Sequence, residues 1–120
     1  MINEAEASTK FFVMANIPEG NYTSISFLIG VDSTRNTTGA QTGALDPING
    51  MFWTWNSGYI MAKFEGTSPQ STASGKSIIY HVGGFSGLTS VIRAATLSFP
   101  TNLVVKRGTT PNIHIYGDIA

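Results

Sequence analysis

Residues 51–65 read Met51-Phe52-Trp53-Thr54-Trp55-Asn56-Ser57-Gly58-Tyr59-Ile60-Met61-Ala62-Lys63-Phe64-Glu65. The second half alternates, with Ile60, Ala62 and Phe64 on one side of an extended chain and Met61, Lys63 and Glu65 on the other. A period of two is the mark of a strand with two unlike faces, so this stretch predicts a β-strand. The first half is the densest aromatic run of the chain. Trp53 and Trp55 are separated by one residue and would share a side of an extended backbone.

The pattern repeats outward from this stretch. Toward the N-terminus, Ile25, Phe27, Ile29 and Val31 fall at period two behind a Pro18-Glu19-Gly20 turn, predicting a turn and then a core strand up to Val31. Between them, residues 32–50 carry almost no large apolar side chain and read as a long loop. Loops of that length in compact domains are usually functional or disordered. Within the loop Asp46-Pro47 suits a short helical turn, Asp as N-cap and Pro at the first helical position, with Asn49-Gly50 ending it.

Toward the C-terminus, residues 66–76 are a polar turn, and residues 77–82 form a strand ended by Gly83-Gly84. Residues 93–99 form another, stopped by Pro100, and residues 103–106 a short one. Residues 113–119 alternate as a last strand. About seven strands with turn signals between them and no long amphipathic helix predict an all-β chain. The architecture expected is a single antiparallel β-sandwich domain over residues 1–120, with one long loop and at most one short helical turn.

Composition excludes several function classes. Of 120 residues 12% are charged, with seven basic and seven acidic side chains and a formal net charge of zero. A nucleic-acid binder needs a concentrated positive footprint, which is absent. There is no Cys, hence no disulfide framework, no thiolate metal ligand and no thiol nucleophile. Residues 1–10 are polar and acidic, without the apolar core of a secretory signal. No apolar run approaches the ~20 residues of a membrane-spanning helix. Gly-x-Ser-x-Gly, His-Glu-x-x-His and Walker-type motifs are all missing, and no catalytic role is assigned.

His81 and His114 are the most informative polar residues. His81 shares a strand face with Ile79, and His114 shares one with Tyr116 and Asp118. Their simpler role is as hydrogen-bonded strand residues; their sharper role is as neutral imidazole metal ligands. Trp53 and Trp55 have a simpler role in packing, and Met51 and Met61 as gap-fillers. Imidazole and thioether donors suit Cu(I) over Zn(II) or Mg(II), but two histidines leave most sites incomplete. Asp32 and Asp46, at the edges of the long loop, suit turn caps that accept backbone N–H bonds.

Several of these segments resemble the MbnP-like family of bacterial envelope proteins. They are Gly30-Val31-Asp32-Ser33 with Asn36, the run from Gly39 to Pro47, and the run Asn49-Gly50-Met51-Phe52-Trp53-Thr54-Trp55-Asn56-Ser57-Gly58-Tyr59-Ile60. Lys63-Phe64-Glu65-Gly66 and Tyr80-His81-Val82-Gly83-Gly84-Phe85 continue the likeness, which covers nearly the whole chain. The resemblance implies a β-sandwich in the periplasm or on the outer surface, and copper handling. It also implies a partner dihaem peroxidase of the MauG type that oxidises a Trp to kynurenine, whose aryl amine joins histidines in binding Cu(I). Carried onto this chain, Trp53 and Trp55 are the oxidation candidates, Trp53 the preferred one, and His81 and His114 are the metal candidates. Asp32, Asn36 and Asp46 become loop-structuring positions. Family domains usually carry further N-terminal strands, so this chain is expected to represent the larger C-terminal part, with exposed sheet edges open to self-association.

Three functions follow as alternatives: a non-enzymatic copper-binding envelope module, a metal-free structural or interaction sandwich, and carbohydrate binding on a Trp platform.

Overall fold

In a computed structural model, residues 1–54 and 56–118 are described. Among the described residues there are five strands: β1 (Gly20–Ile29), β2 (Phe52–Thr54), β3 (Gly58–Thr67), β4 (Ser77–Gly83) and β5 (Arg93–Val105). They form a two-stranded sheet, β1-β5, and a three-stranded sheet in the order β2-β3-β4. Both pairings of the three-stranded sheet are antiparallel. Only short helical turns lie between the strands, the longest being a five-residue helix α1 (Ser33–Thr37). The chain is therefore all-β and sandwich-like in class. Among the described residues no helix is long and apolar enough to cross a membrane.

Contacts divide the chain into two compact units. One holds residues 27–95 together with Met1, the other residues 2–26 with 96–120. The first contains β2, β3, β4, α1 and the long loop, and its core sits at the start of β3. There, among the described residues, Tyr59 and Ile60 are the buried hydrophobic side chains and Asn36 the buried polar one. The second contains most of β1 and β5, with the hydroxyls of Ser26 and Thr96 2.8 Å apart.

Three elements differ from the sequence expectation. The strands expected over residues 93–99 and 103–106 are one 13-residue strand, Arg93–Val105, that runs through Pro100 and stops before Lys106. Proline removes one ladder donor, which a strand with a free edge tolerates, and both strands of a two-stranded sheet have one. Residues 113–118, expected as the last strand, have no regular structure, and Ile115 and Tyr116 are exposed. Alternation permits a strand, but only a partner ladder satisfies its backbone groups. The long loop holds α1, which its polar sequence concealed. Asp32 caps it by accepting the Arg35 N–H at 2.9 Å. The turn expected at Asp46-Pro47 is present over Pro47–Asn49, with Asp46 accepting the Ile48 N–H.

Candidate functional site

The three-stranded sheet has two unlike faces. Register pairs Lys63 with His81, Phe64 with Tyr80, Glu65 with Ile79 and Ala62 with Val82. Alternation then puts Lys63, Glu65, Ile79, His81 and Gly83 on one face, and Ala62, Phe64, Ile78, Tyr80 and Val82 on the other. The first of these faces carries the chemistry.

On it, the His81 Nε2 lies 2.7 Å from the Glu65 Oε1, a diagonal contact across β3 and β4. The Lys63 ammonium stands 3.4 Å from the other Glu65 oxygen. The hydrogen bond from His81, and then Lys63, hold the Glu65 carboxyl below its ordinary value of 4.5. An ionised carboxylate only accepts, so the ring donates from Nε2 and the neutral tautomer keeps its lone pair on Nδ1. Metal-binding imidazoles are typically oriented in this way, by a carboxylate on the nitrogen away from the metal.

Trp53, on β2, brings its ring to the same face. A β-carbon built on Gly83 would fall 2.5 Å from the Trp53 Cζ3 and 2.9 Å from Cη2, so the six-membered ring covers Gly83 where a side chain would stand. Gly83 is two residues beyond His81 on β4, a step of about 6.5 Å along a strand. Trp53 remains 41% exposed. The sheet thus brings together Trp53, His81 and Glu65. His114 belongs to the other unit and is exposed, in the segment without regular structure. Trp55 lies outside the described residues.

Gly83→Ala tests the close approach directly. The new methyl must push the indole outward or press the Tyr59 carbonyl, 3.0 Å away. The expected result is a red-shifted, more quenchable tryptophan emission with a stability loss of about 1–2 kcal/mol. An unchanged spectrum would show that the ring does not rest on Gly83.

The ion pair also predicts a pH response. The Glu65 value in the folded chain lies below 4.5. The pair's contribution is therefore complete above that pH and is lost as the pH falls through the depressed value. Its effect on stability is small, because the carboxylate is exposed. NMR titration of the Glu65 carboxyl should show a midpoint below 4.5 that rises in His81→Ala; a midpoint unmoved by the substitution would contradict the pairing.

The long loop is fastened to the same sheet from behind. Tyr59, fully buried, donates its hydroxyl to the Leu45 carbonyl at 2.6 Å and sets its ring edge-on to Phe52, with centroids 4.9 Å apart. The Asn36 Oδ1 accepts the Tyr59 N–H at 2.9 Å, and its Nδ2 donates to the carbonyls of Val31 and Asp32 at 2.8 and 3.0 Å. Asp32 is held below its ordinary 3.8 first by the Arg35 N–H and then by the Arg35 guanidinium.

Glu65 and Tyr59 escaped the sequence reading. The signal for Glu65 was present, an acidic residue and a histidine on facing strands, but it needs the register to become visible. Tyr59 gave no local signal of its role.

As a metal centre the face is incomplete. Among the described residues no group of three or more His, Cys, Asp or Glu side chains could hold a metal ion. The oriented imidazole is one metal donor, while the indole beside it, an N–H donor only, is none.

Neither the curated proteins nor the solved structures contain a significant match to the chain. The sequence model of one family, MbnP, matches residues 1–120. Its reach over the long loop, the whole aromatic run and the His81 strand settles the membership: the chain belongs to the MbnP family.

Proposed function

We propose that this protein is a non-enzymatic copper-binding module of the cell envelope, periplasmic or outer-surface, with the Trp53–His81 face as part of its metal site. The observation that carries the proposal is the Trp53 ring lying over Gly83, one strand step from an imidazole whose Nε2 is held by Glu65. Membership of the MbnP family supports it.

In this proposal His81 offers Nδ1 as a ligand, and Glu65 fixes the ring and raises its basicity. Trp53 is the residue matured, by a dihaem peroxidase partner of the MauG type, with hydrogen peroxide as oxidant. With two equivalents of peroxide the indole C2–C3 double bond breaks, each carbon gains one peroxide oxygen, and two waters leave. Hydrolysis of the resulting formamide releases formate and exposes the aryl amine of kynurenine. The exposed edge of Trp53 gives an oxidant access. His114 is proposed as a separate candidate imidazole donor within its own unit, and Trp55 as the alternative site of oxidation. Bound Cu(I) would be held as cargo by soft and borderline donors.

Intact mass and peptide mapping of protein from its native source test maturation: one Trp should have gained an oxygen and lost a carbon. Cu(I) titration of the same material tests the site. Glu65→Ala should weaken copper binding about 10–100-fold through loss of orientation, and His81→Ala should weaken it further. Unmodified tryptophans together with no retained Cu(I) would sink the proposal.

A metal-free interaction module is the second reading, favoured by the opposite face of the sheet, where Phe64, Tyr80 and Val82 are exposed. It predicts that His81→Ala leaves metal content and partner binding unchanged.

A further inference from the structure

β4 has β3 on one side and, among the described residues, no strand on the other. Its sequence, Ser77-Ile78-Ile79-Tyr80-His81-Val82-Gly83, contains none of the devices that protect a free edge: no Lys, no Pro and no acidic residue. Ile79 is 63% and Tyr80 65% exposed, and Val82 is also exposed, as is Phe64 across the register from Tyr80. Short segments with high β-propensity, low charge and no Pro are the ones that recruit another strand.

A groove of about 620 Å³ runs beside the first half of this strand, between Ser68, Gln70 and Ser71 on one wall and Ile78, Ile79 and Tyr80 on the other. Three consecutive residues of a strand point to both faces, so a groove lined by all three opens along the edge.

We propose that this edge pairs antiparallel with β4 of a second copy of the chain, about a two-fold axis at Tyr80. The strand is self-complementary in that register. Tyr80 meets Tyr80 of the partner subunit, Ile78 meets Val82 of the partner subunit, and Ile79 meets His81 of the partner subunit. The apolar face continues into the apolar face, no like charges are opposed, and a central aromatic pair is favourable across strands. The Ser77 carbonyl already accepts the Ser71 hydroxyl at 2.6 Å, so the pairing is confined to Ile78–Val82. An interface of this kind is isologous and closes at two copies.

The exposed side chains also set the strength of association. Aromatic residues bury about 150–250 Å² each when fully covered, so half-exposed Phe64 and Tyr80 with Ile79 and Val82 offer on the order of 300–400 Å². A stable interface takes about 800 Å² per partner. The dimer is therefore weak and depends on concentration.

The absence of Cys from the sequence makes the register testable. Directly opposed residues of antiparallel strands have Cα atoms about 4.5–5.5 Å apart, inside the disulfide range. In the full chain, Tyr80→Cys should cross-link under mild diamide oxidation at least roughly tenfold faster than Leu88→Cys, because pairing raises the local thiol concentration. Leu88 is fully exposed and lies outside β4, in the turn Gly87–Thr89. Sedimentation should show the unmodified chain passing from monomer to dimer with concentration, and Tyr80→Lys should hold it monomeric with an unchanged far-ultraviolet spectrum. A monomer at every concentration would overturn the proposal. So would equal cross-linking of the two cysteine variants, or cross-linking that is fastest for Ile79→Cys or His81→Cys.

Discussion

Asn36→Ala should destabilise the chain by about 3 kcal/mol or more, since each buried backbone group left without a partner costs roughly 1–3 kcal/mol. Asn36 is 1% exposed and uses both ends of its amide. Its oxygen takes the Tyr59 N–H, and its nitrogen reaches the Val31 and Asp32 carbonyls. Asn36 bonds both to the cap of α1 and to the backbone of β3, so truncation strands groups at both ends. Against a total stability of about 5–15 kcal/mol for a domain, a loss of that size is large. Asn36→Asp separates the two roles. The carboxylate keeps an acceptor for Tyr59 but loses both donors and points charge at two carbonyls, so it should be no milder than Ala. Urea denaturation checks both; a loss under about 1 kcal/mol for either would mean that water replaces the amide.

This bond network decides how the looped segment reaches the site. Residues 32–50 looked from their sequence like an open loop, yet Asn36 and Tyr59 fasten both ends of them to the start of β3. Tyr59 is the large buried side chain near the start of the strand that also carries Glu65. Disturbing the loop anchor therefore loads the sheet that holds His81 and Trp53, without touching either.

What could be read beforehand was local. The alternation of residues 60–65 and 77–82 reveals β3 and β4, and with them the polar face that His81 shares with Ile79. The cap chemistry of Asp46-Pro47 reveals its turn. What could not be read depends on which strand lies beside which. Glu65 becomes the partner of His81 only when Lys63 is known to face His81. Gly83 looks like a strand terminator, and only the return of β2 shows that its missing side chain makes room for an indole. Pro100 looks like a stop because its effect on a ladder is local, while the free edge that tolerates it is a property of the sheet. Residues 113–118 alternate as cleanly as β4, but no regular structure forms over them. His114 and His81 are therefore alike in residue type and pattern, and unlike in surroundings.

Gly58→Ala should cost about 2–5 kcal/mol, combining two independent penalties. Gly58 has φ +73°, a left-handed conformation that any residue with a β-carbon adopts at a cost of about 1–2 kcal/mol. A β-carbon there would also stand 2.3 Å from the Asn36 Oδ1 and 2.8 Å from the Phe85 ring, in a buried site where crowding adds about 1–3 kcal/mol. The first penalty belongs to Gly58 alone, while the second is shared with Asn36. In the double variant Asn36→Ala/Gly58→Ala the oxygen that the methyl strikes is gone. The two losses should then fall short of adding by about 1 kcal/mol or more, as contacting residues do. Strict additivity in urea denaturation would show that the methyl is accommodated against Phe85 instead. The Asn36 amide would then hold the Tyr59 N–H without depending on the empty space at Gly58.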